Sequence, residues 1–391
     1  MRSIRVFTGL LALFLAIGAA DSQAVGLGDL KKKAEKAAKD ATKTTTPEAP
    51  KAPETGAAGE AAGSASEATA AGGDGGKVSQ VSTKYDFVPG DRIILMDDFT
   101  RDELGEFPAR WKAWRGNFDV SEFNGERWLR MNGTDGTIAI KADSLPNEWT
   151  LEFDFYEKEM TGPVYTVGAF YPGDDSWMWY CAIGGSGNQV AMSAVDGVSS
   201  NATTEAPMNG RHHVAVMAKG TGVKVYVDRE RLANIAEMDY KGKPMPGAIG
   251  LRLWRYGDDP LITNVRFAEG GKEKVDMMAT PFVTHGIVFD SGSDKLKPES
   301  APVLRQVGTY LKENPEVKVT ITGHTDDVGD TAANQLLSEK RAAAVAASLA
   351  ADFGVDAARM TAAGKGESAP IAKNDSPEGK AMNRRVEFAK S

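Results

Sequence analysis

Cysteine is nearly absent from the 391 residues: Cys181 stands alone, so no disulfide can close within the chain and no cysteine-based metal site can form. Histidine is almost as scarce. Four occur, with His212 and His213 side by side, which argues against a histidine-built zinc centre. A basic stripe is missing too. Acidic residues outnumber basic ones to a net charge of -8, which excludes nucleic acid as the main partner. The apolar run at residues 6–20 covers about 15 residues, against the roughly 20 that a helix needs to span a bilayer.

With Arg2 and Arg5 ahead of it, that run reads as an export signal cleaved after Ala20 or, preferably, after Ala24 of S-Q-A, with no cysteine following to take a lipid. The competing reading leaves it uncleaved as an inner-membrane anchor. Leu27, Leu30, Ala34, Ala37, Ala38 and Ala41 recur at helical spacing between lysines. A helix so short is marginal in water, so it is expected to be solvated or transient, with membrane or partner docking as the alternative. Residues 42–82 are almost entirely Ala, Gly, Pro, Glu, Ser and Thr, a composition that cannot bury a core and predicts disorder. Such a segment reaches about 35 Å. The expected layout is a signal at 1–24, helix and linker at 25–83, a β-domain at 84–270, a connector at 271–280 and an α+β domain at 281–391.

Between 84 and 270 the texture changes to short alternating runs separated by Gly, Asn, Asp and Pro. Strands are predicted at 93–96, 128–131, 137–140, 149–155, 165–170, 178–183, 189–194, 213–218, 224–227, 249–253 and 262–267, with no long helix, which makes an all-β sandwich. The D-D-F at 97–99, the hairpin at 212–228, the run G-A-I-G-L-R-L-W and the closing I-T-N-V-R-F resemble concanavalin A-like and laminin-G-like jelly rolls. That fold hosts lectins, glycosidases and inert spacers, so it leaves function open.

Three constellations in the β-domain carry possible chemistry. Glu152, Asp154 and Glu157 form E-x-D-x-x-E, which resembles the catalytic strand of laminarinase-type retaining glycosidases, where two carboxyl groups about 5–5.5 Å apart share the work. Against that, Trp149, Leu151, Phe153 and Phe155 alternate as a core face, leaving Thr150, Glu152, Asp154 and Tyr156 as the solvated face and Glu157 on the opposite side. Trp177 and Trp179 alternate in W-M-W-Y, either exposed as a sugar-stacking platform or turned inward as core. Asp97 or Asp98 with Asn264 offers oxygen ligands for a structural calcium, the one cofactor in view. Trp111 and Trp114 are expected to plug one end of the sandwich, and Cys181 to be a buried hydrophobe.

The last part of the chain predicts β-α-β-α-β-β, with strands at 287–289, 317–323, 360–364 and 385–389, helices at 298–314 and from 334 onward, and a long loop at 364–380. The strand at 317–323 runs into a polar turn, T-G-H-T-D-D-V-G-D, which opens the second helix. His324 in that turn is expected to be a structural hydrogen-bonder. Taking Leu337 as zero and roughly 100° per residue, Arg341 lands near 40°, inside the apolar arc of Val345, Leu349 and Phe353. An arginine there needs a partner. One reading gives it a structural carboxylate; the other makes it share a polar pocket with the Asp326 turn, suited to a ligand carrying both ammonium and carboxylate.

The residues G-H-T-D, Gly329, Asn334, L-S-E-K-R-A at 337–342 and N-R-R-V-E at 383–387 resemble the OmpA-like peptidoglycan-binding domain over about the last 110 residues. One departure is Gly292 in F-D-S-G-S, where many members carry a bulkier polar residue. The resemblance implies that Asp326, beside Thr325, and Arg341 hold the diaminopimelate of the wall's stem peptide. Arg384 would assist, with Asn334 beside the ligand. It further implies a non-catalytic, wall- and outer-membrane-associated protein of the Gram-negative periplasm, whose β-sandwich presents a second surface to glycan or an envelope protein. The alternative is a wall-anchored glycan hydrolase using Glu152, Asp154 and Glu157.

Overall fold

The computed structural model describes residues 82, 84–140, 145–157, 164–171, 176–184, 189–194, 196–204, 209–242, 247–255, 258–271 and 281–391. The expected export signal, the lysine-rich helix, nearly all of the linker and most of the connector lie outside them.

Residues 84–271 form two antiparallel sheets around one apolar core. Across the first, the strands run Glu230–Ile235, Gly222–Val227, Gly210–Lys219, Glu148–Glu157, Leu261–Glu269, Glu126–Met131 and Phe118–Phe123, with Arg92–Asp97 also paired to Leu261–Glu269. The second runs Ser199–Thr203, Gln189–Ala194, Ser176–Gly184, Val164–Tyr171, Ala248–Trp254, Asp135–Ile140 and Trp111–Arg115. The core forms because each long strand alternates. Leu151, Phe153 and Phe155 from the first sheet pack with Val167, Trp179 and Cys181 from the second. Trp149 and Trp179 stack across the gap with centroids 6.1 Å apart. Burial pushes the Cys181 thiol up to about 12, so it stays a neutral apolar filler.

The C-terminal domain is a four-stranded sheet in the order Phe282–Thr284, Val386–Lys390, Val319–Gly323, Met360–Gly364, covered by helices Ala301–Glu313 and Thr331–Phe353. Leu304, Val307, Leu311, Val345 and Leu349 pack on Val319 and Ile321 to make a second core. Two expectations are corrected. The first strand lies at Phe282–Thr284 and not at 287–289, because the latter residues are drawn onto the helix start: Ser300 Oγ bonds both the amide and the carbonyl of Val288. The expected loop at 364–380 contains the start of a further helix, Pro377–Asn383, opened by Ser376, whose hydroxyl accepts from Gly379 N, and by a proline in its first turn.

Two glycines set how closely the second helix approaches the sheet. Gly323 and Gly364 are partners on adjacent parallel strands, and a Cβ on either would fall 2.4 Å from an atom of Ser338. The helix therefore lies against bare backbone three residues before Arg341. Gly323→Ala is expected to lower the stability of this domain by about 1–3 kcal/mol through overpacking, read as a fall in the urea midpoint; an unchanged midpoint counts against this packing.

The two domains meet through directed bonds. Glu378 accepts from Met96 N at 2.8 Å and Arg110 Nη1 at 2.5 Å, and Arg101 donates to the Asp375 carbonyl at 2.9 Å. Val88, ahead of the first strand, is buried in the C-terminal core.

Candidate functional site

The Asp326 turn is built by its neighbours. Asp330 caps the Thr331–Phe353 helix by accepting from Ala333 N, and Asp326 Oδ1 accepts from Val328 N, which curls the chain back on itself. Asn334, on the first turn of the helix, donates to the carbonyls of Asp326 and Val328 and to Glu367 Oε2. Its NH2 group braces the turn from inside and so positions Asp326. Thr325 is buried as well, its amide bonded to the Gly366 carbonyl.

Arg384 Nη1 meets Asp326 Oδ2 at 2.5 Å. The fully buried Asn383 before it knits the loop: its amide accepts from Ile371 N and Ala372 N and donates to Ala372 and Asn374. Arg385 after it is also internal, bonded to Glu387 and the Ala369 carbonyl. Of the two arginine side chains only that of Arg384 bonds Asp326, while the Arg385 carbonyl accepts from His324 N at 3.0 Å.

Arg341 does not find the structural carboxylate that its place in the apolar arc called for. Its Nε donates to the Ser293 carbonyl at 2.9 Å and its guanidinium lies 4.9 Å from the Phe289 ring centre, and no ion pair within 4.0 Å is formed by it among the described residues. The loop that carries Gly292 thus contributes a backbone carbonyl, with Gly292 itself at φ 63°. Burial, and after it the neighbouring Arg384, holds the Arg341 pKa below its ordinary value, with Asp326 and Asp294 opposing. Asp326 is paired with Arg384 while Arg341 forms no ion pair among the described residues, an arrangement that favours a carboxylate ligand on Arg341 with an ammonium near Asp326.

His324 differs from expectation. Its Nε2 lies 3.5 Å from Glu387 Oε1, yet neither ring nitrogen makes a hydrogen bond. Burial and the adjacent Arg385 push its pKa down to about 4, so the imidazole is neutral at physiological pH.

The sandwich constellations are rearranged. Trp177 and Trp179 do not share a side, because the register slips between the pairs Ala169–Trp179 and Phe170–Trp177. Trp179 enters the core and Trp177 packs on Phe170 on the opposite face, which removes the paired platform. Trp111 is core, donating to Asp97 Oδ2 at 2.8 Å, whereas Trp114 stacks edge-on against Phe170 outside it. Asp97 accepts from Phe99 N and Trp111, Asp98 accepts from Thr100, and Asn264 donates to Asp154. Among the described residues no group of three or more His, Cys, Asp or Glu is placed to hold a metal.

Glu152 and Asp154 share a face as expected, but the face is half-buried beneath neighbouring side chains. His213 sits between them, Nδ1 at 2.7 Å from Asp154 and Nε2 at 3.6 Å from Glu152. Arg266 pairs Glu152 at 3.0 Å, and Arg211 and Asn264 pair Asp154 at 2.8 and 2.9 Å. Burial works against the charged imidazole, but its bonds to both carboxylates prevail and raise His213 to about 10. Burial likewise opposes the carboxylates, and His213 with the arginines outweighs it, lowering Asp154 to about 2 and holding Glu152 below its usual range. Neither carboxyl is protonated at neutral pH to act as an acid, and Glu157 is fully buried on the core-facing side of the strand. The three residues of the alternative E-x-D-x-x-E reading thus do not lie on one face.

Residues 288–384 match the OmpA family. Outer membrane porin F of Pseudomonas aeruginosa is 44% identical over 26% of this chain and 29% of its own length. A probable lipoprotein of Escherichia coli, YiaD, is 45% identical over 27% of this chain and 48% of its own. The solved structure of the peptidoglycan-associated lipoprotein from Burkholderia pseudomallei is 30% identical, covering 29% of this chain and 92% of that one, with a TM-score of 0.26. The chain spans less than half the length of these two curated relatives, and the similarity lies in the C-terminal domain. Porin F is by name an outer-membrane protein, and the periplasmic, wall-associated location expected from the sequence agrees with that. Through its C-terminal domain the chain belongs to the OmpA family.

Proposed function

We propose that this chain is a non-catalytic cell-wall-binding protein of the Gram-negative envelope, which holds the diaminopimelate of peptidoglycan stem peptides through Asp326 and Arg341, with Arg384 assisting. The observation that carries the proposal is Arg341: a partly buried guanidinium with no ion pair of its own among the described residues, next to an Asp326–Arg384 pair that an incoming ammonium can share. Thr325 and Asn334 hold the turn in place. The relative named as a peptidoglycan-associated lipoprotein supports the ligand class. The sandwich serves as a second interaction surface for a glycan or an envelope protein, without chemistry of its own.

The test is co-sedimentation with purified sacculi. Wild-type protein is expected to pellet without releasing soluble sugars or peptides, and Asp326→Ala to remain in the supernatant. Undiminished pelleting of that variant would contradict the assignment, and release of reducing sugar would revive the hydrolase.

A further inference from the structure

A cavity of about 200 Å³ lies between the two domains. Protein interiors are otherwise close-packed, and a space this large exceeds what one or two bridging waters fill. Its C-terminal wall includes Arg341 and Arg384, so it opens onto the candidate site, together with His324 and His285. Its opposite wall comes from the β-sandwich, as Ile93, Met96 and Arg266.

Two histidines of the lining are left unsatisfied. His324 is 3% exposed with both ring nitrogens lacking hydrogen bonds, and His285 is 9% exposed with Nδ1 lacking one while Nε2 faces the Met382 carbonyl at 3.0 Å. Buried polar nitrogens are nearly always paired, by protein, water or ligand. The sandwich wall is of another kind. Ile93 and Met96 present apolar side chains, and Arg266 is already bound to Glu152 and to the Gly90 carbonyl, which fixes it as a wall and not as a free charge. The cationic and hydrogen-bonding groups Arg341, Arg384, His324 and His285 thus lie on the C-terminal side among apolar residues such as Ile287 and Phe289, and the sandwich adds the aliphatic Ile93 and Met96 opposite them.

We propose that the wall-binding site is composite, the sandwich strand Arg92–Asp97 forming one side of it, so that a diamino-dicarboxylate residue keeps its charged end on Arg341 and lays its methylene chain against Ile93 and Met96. This rests on the reading that Asp326 and Arg341 hold such a ligand. It gives the sandwich a part in recognition: the C-terminal domain supplies charge, and the sandwich supplies apolar contact and excludes water. Because Glu378 fastens Met96 N to the C-terminal domain, the wall is held in register with the charged end.

The experiment is titration of the full chain, labelled at its methionine methyl groups, with a soluble muropeptide carrying diaminopimelate. The Met96 signal, assigned as the one lost in Met96→Leu, is expected to move with saturation. Ile93→Asp, which sets a carboxylate against the ligand's own, is expected to weaken binding about tenfold. A Met96 signal that stays fixed while the muropeptide binds overturns the composite site, as does wild-type affinity in Ile93→Asp. Asp326→Ala separates the two readings: if it binds the muropeptide as tightly as wild type, the assignment of the charged end fails, whatever Met96 does.

Discussion

Replacing Arg341 by alanine is expected to weaken binding of a diaminopimelate-containing muropeptide by about 100-fold or more, the effect of truncating one partner of a desolvated charge pair. The substitution removes only a single bond to the Ser293 carbonyl and the contact with Phe289 from the free protein, so folding is expected to survive it. Arg341→Lys keeps the charge but not the planar fork, and should fall between wild type and alanine. Calorimetry on the three proteins measures this series. Equal affinities across it would mean that the cation near Asp326 that matters is Arg384 alone.

The second large effect concerns stability. Removing the imidazolium from between Glu152 and Asp154 with His213→Ala is expected to cost about 1–3 kcal/mol, because the ring is half-buried and Arg266, Arg211 and Asn264 still pair the two carboxylates. The pH dependence has a definite sign. His213 is raised to about 10 from 6.5, so its contribution is complete below about pH 6.5 and disappears as pH rises through 10. Asp154 is lowered to about 2 from 3.8, so its contribution is present above about pH 4 and disappears as pH falls through 2. Both describe one network and are not additive. Wild-type sandwich stability should therefore be greatest between about pH 4 and 6.5 and decline toward pH 10, while His213→Ala loses that alkaline decline. All seven tryptophans lie between Trp111 and Trp254, so fluorescence during urea unfolding reports the sandwich alone. Parallel alkaline slopes in the two proteins would show that the imidazole is not charged in the folded state.

What the sequence revealed of this molecule follows the range of the interactions involved. Inner strands such as Glu148–Glu157 were legible because packing one face on the core while the other stays polar forces alternation. The four strands that patterning missed, Trp111–Arg115, Phe118–Phe123, Ser199–Thr203 and Glu230–Ile235, are the outermost in the two sheet orders. An edge strand has one ladder and tolerates mixed residues, as W-K-A-W-R and S-S-N-A-T show. The bulge that parts Trp177 from Trp179 is a pairing event with Ala169 and Phe170, invisible in W-M-W-Y itself. Likewise His213 meets Glu152 and Asp154 only through the register of two strands some sixty residues apart. The helix Pro377–Asn383 had a signal, Ser376 and Pro377 in cap and first positions, that the surrounding Gly, Pro and Lys masked. At the candidate site, helical periodicity was enough to single out Arg341, whereas that its carboxylate would be absent depended on where Arg384 went.

The segment from Tyr85 to Gly90 has a mechanical meaning. Tyr85 and Phe87 pack on Tyr226, Asp86 is gripped by Lys224 and Arg231, Val88 enters the C-terminal core, and Gly90 N bonds Thr150. A pull applied to the chain ahead of Tyr85 thus meets a row of anchors belonging alternately to the sheet and to the neighbouring domain. Tension would be divided between both bodies at the same stretch of chain, so that neither the sandwich nor the joint between them bears the load alone.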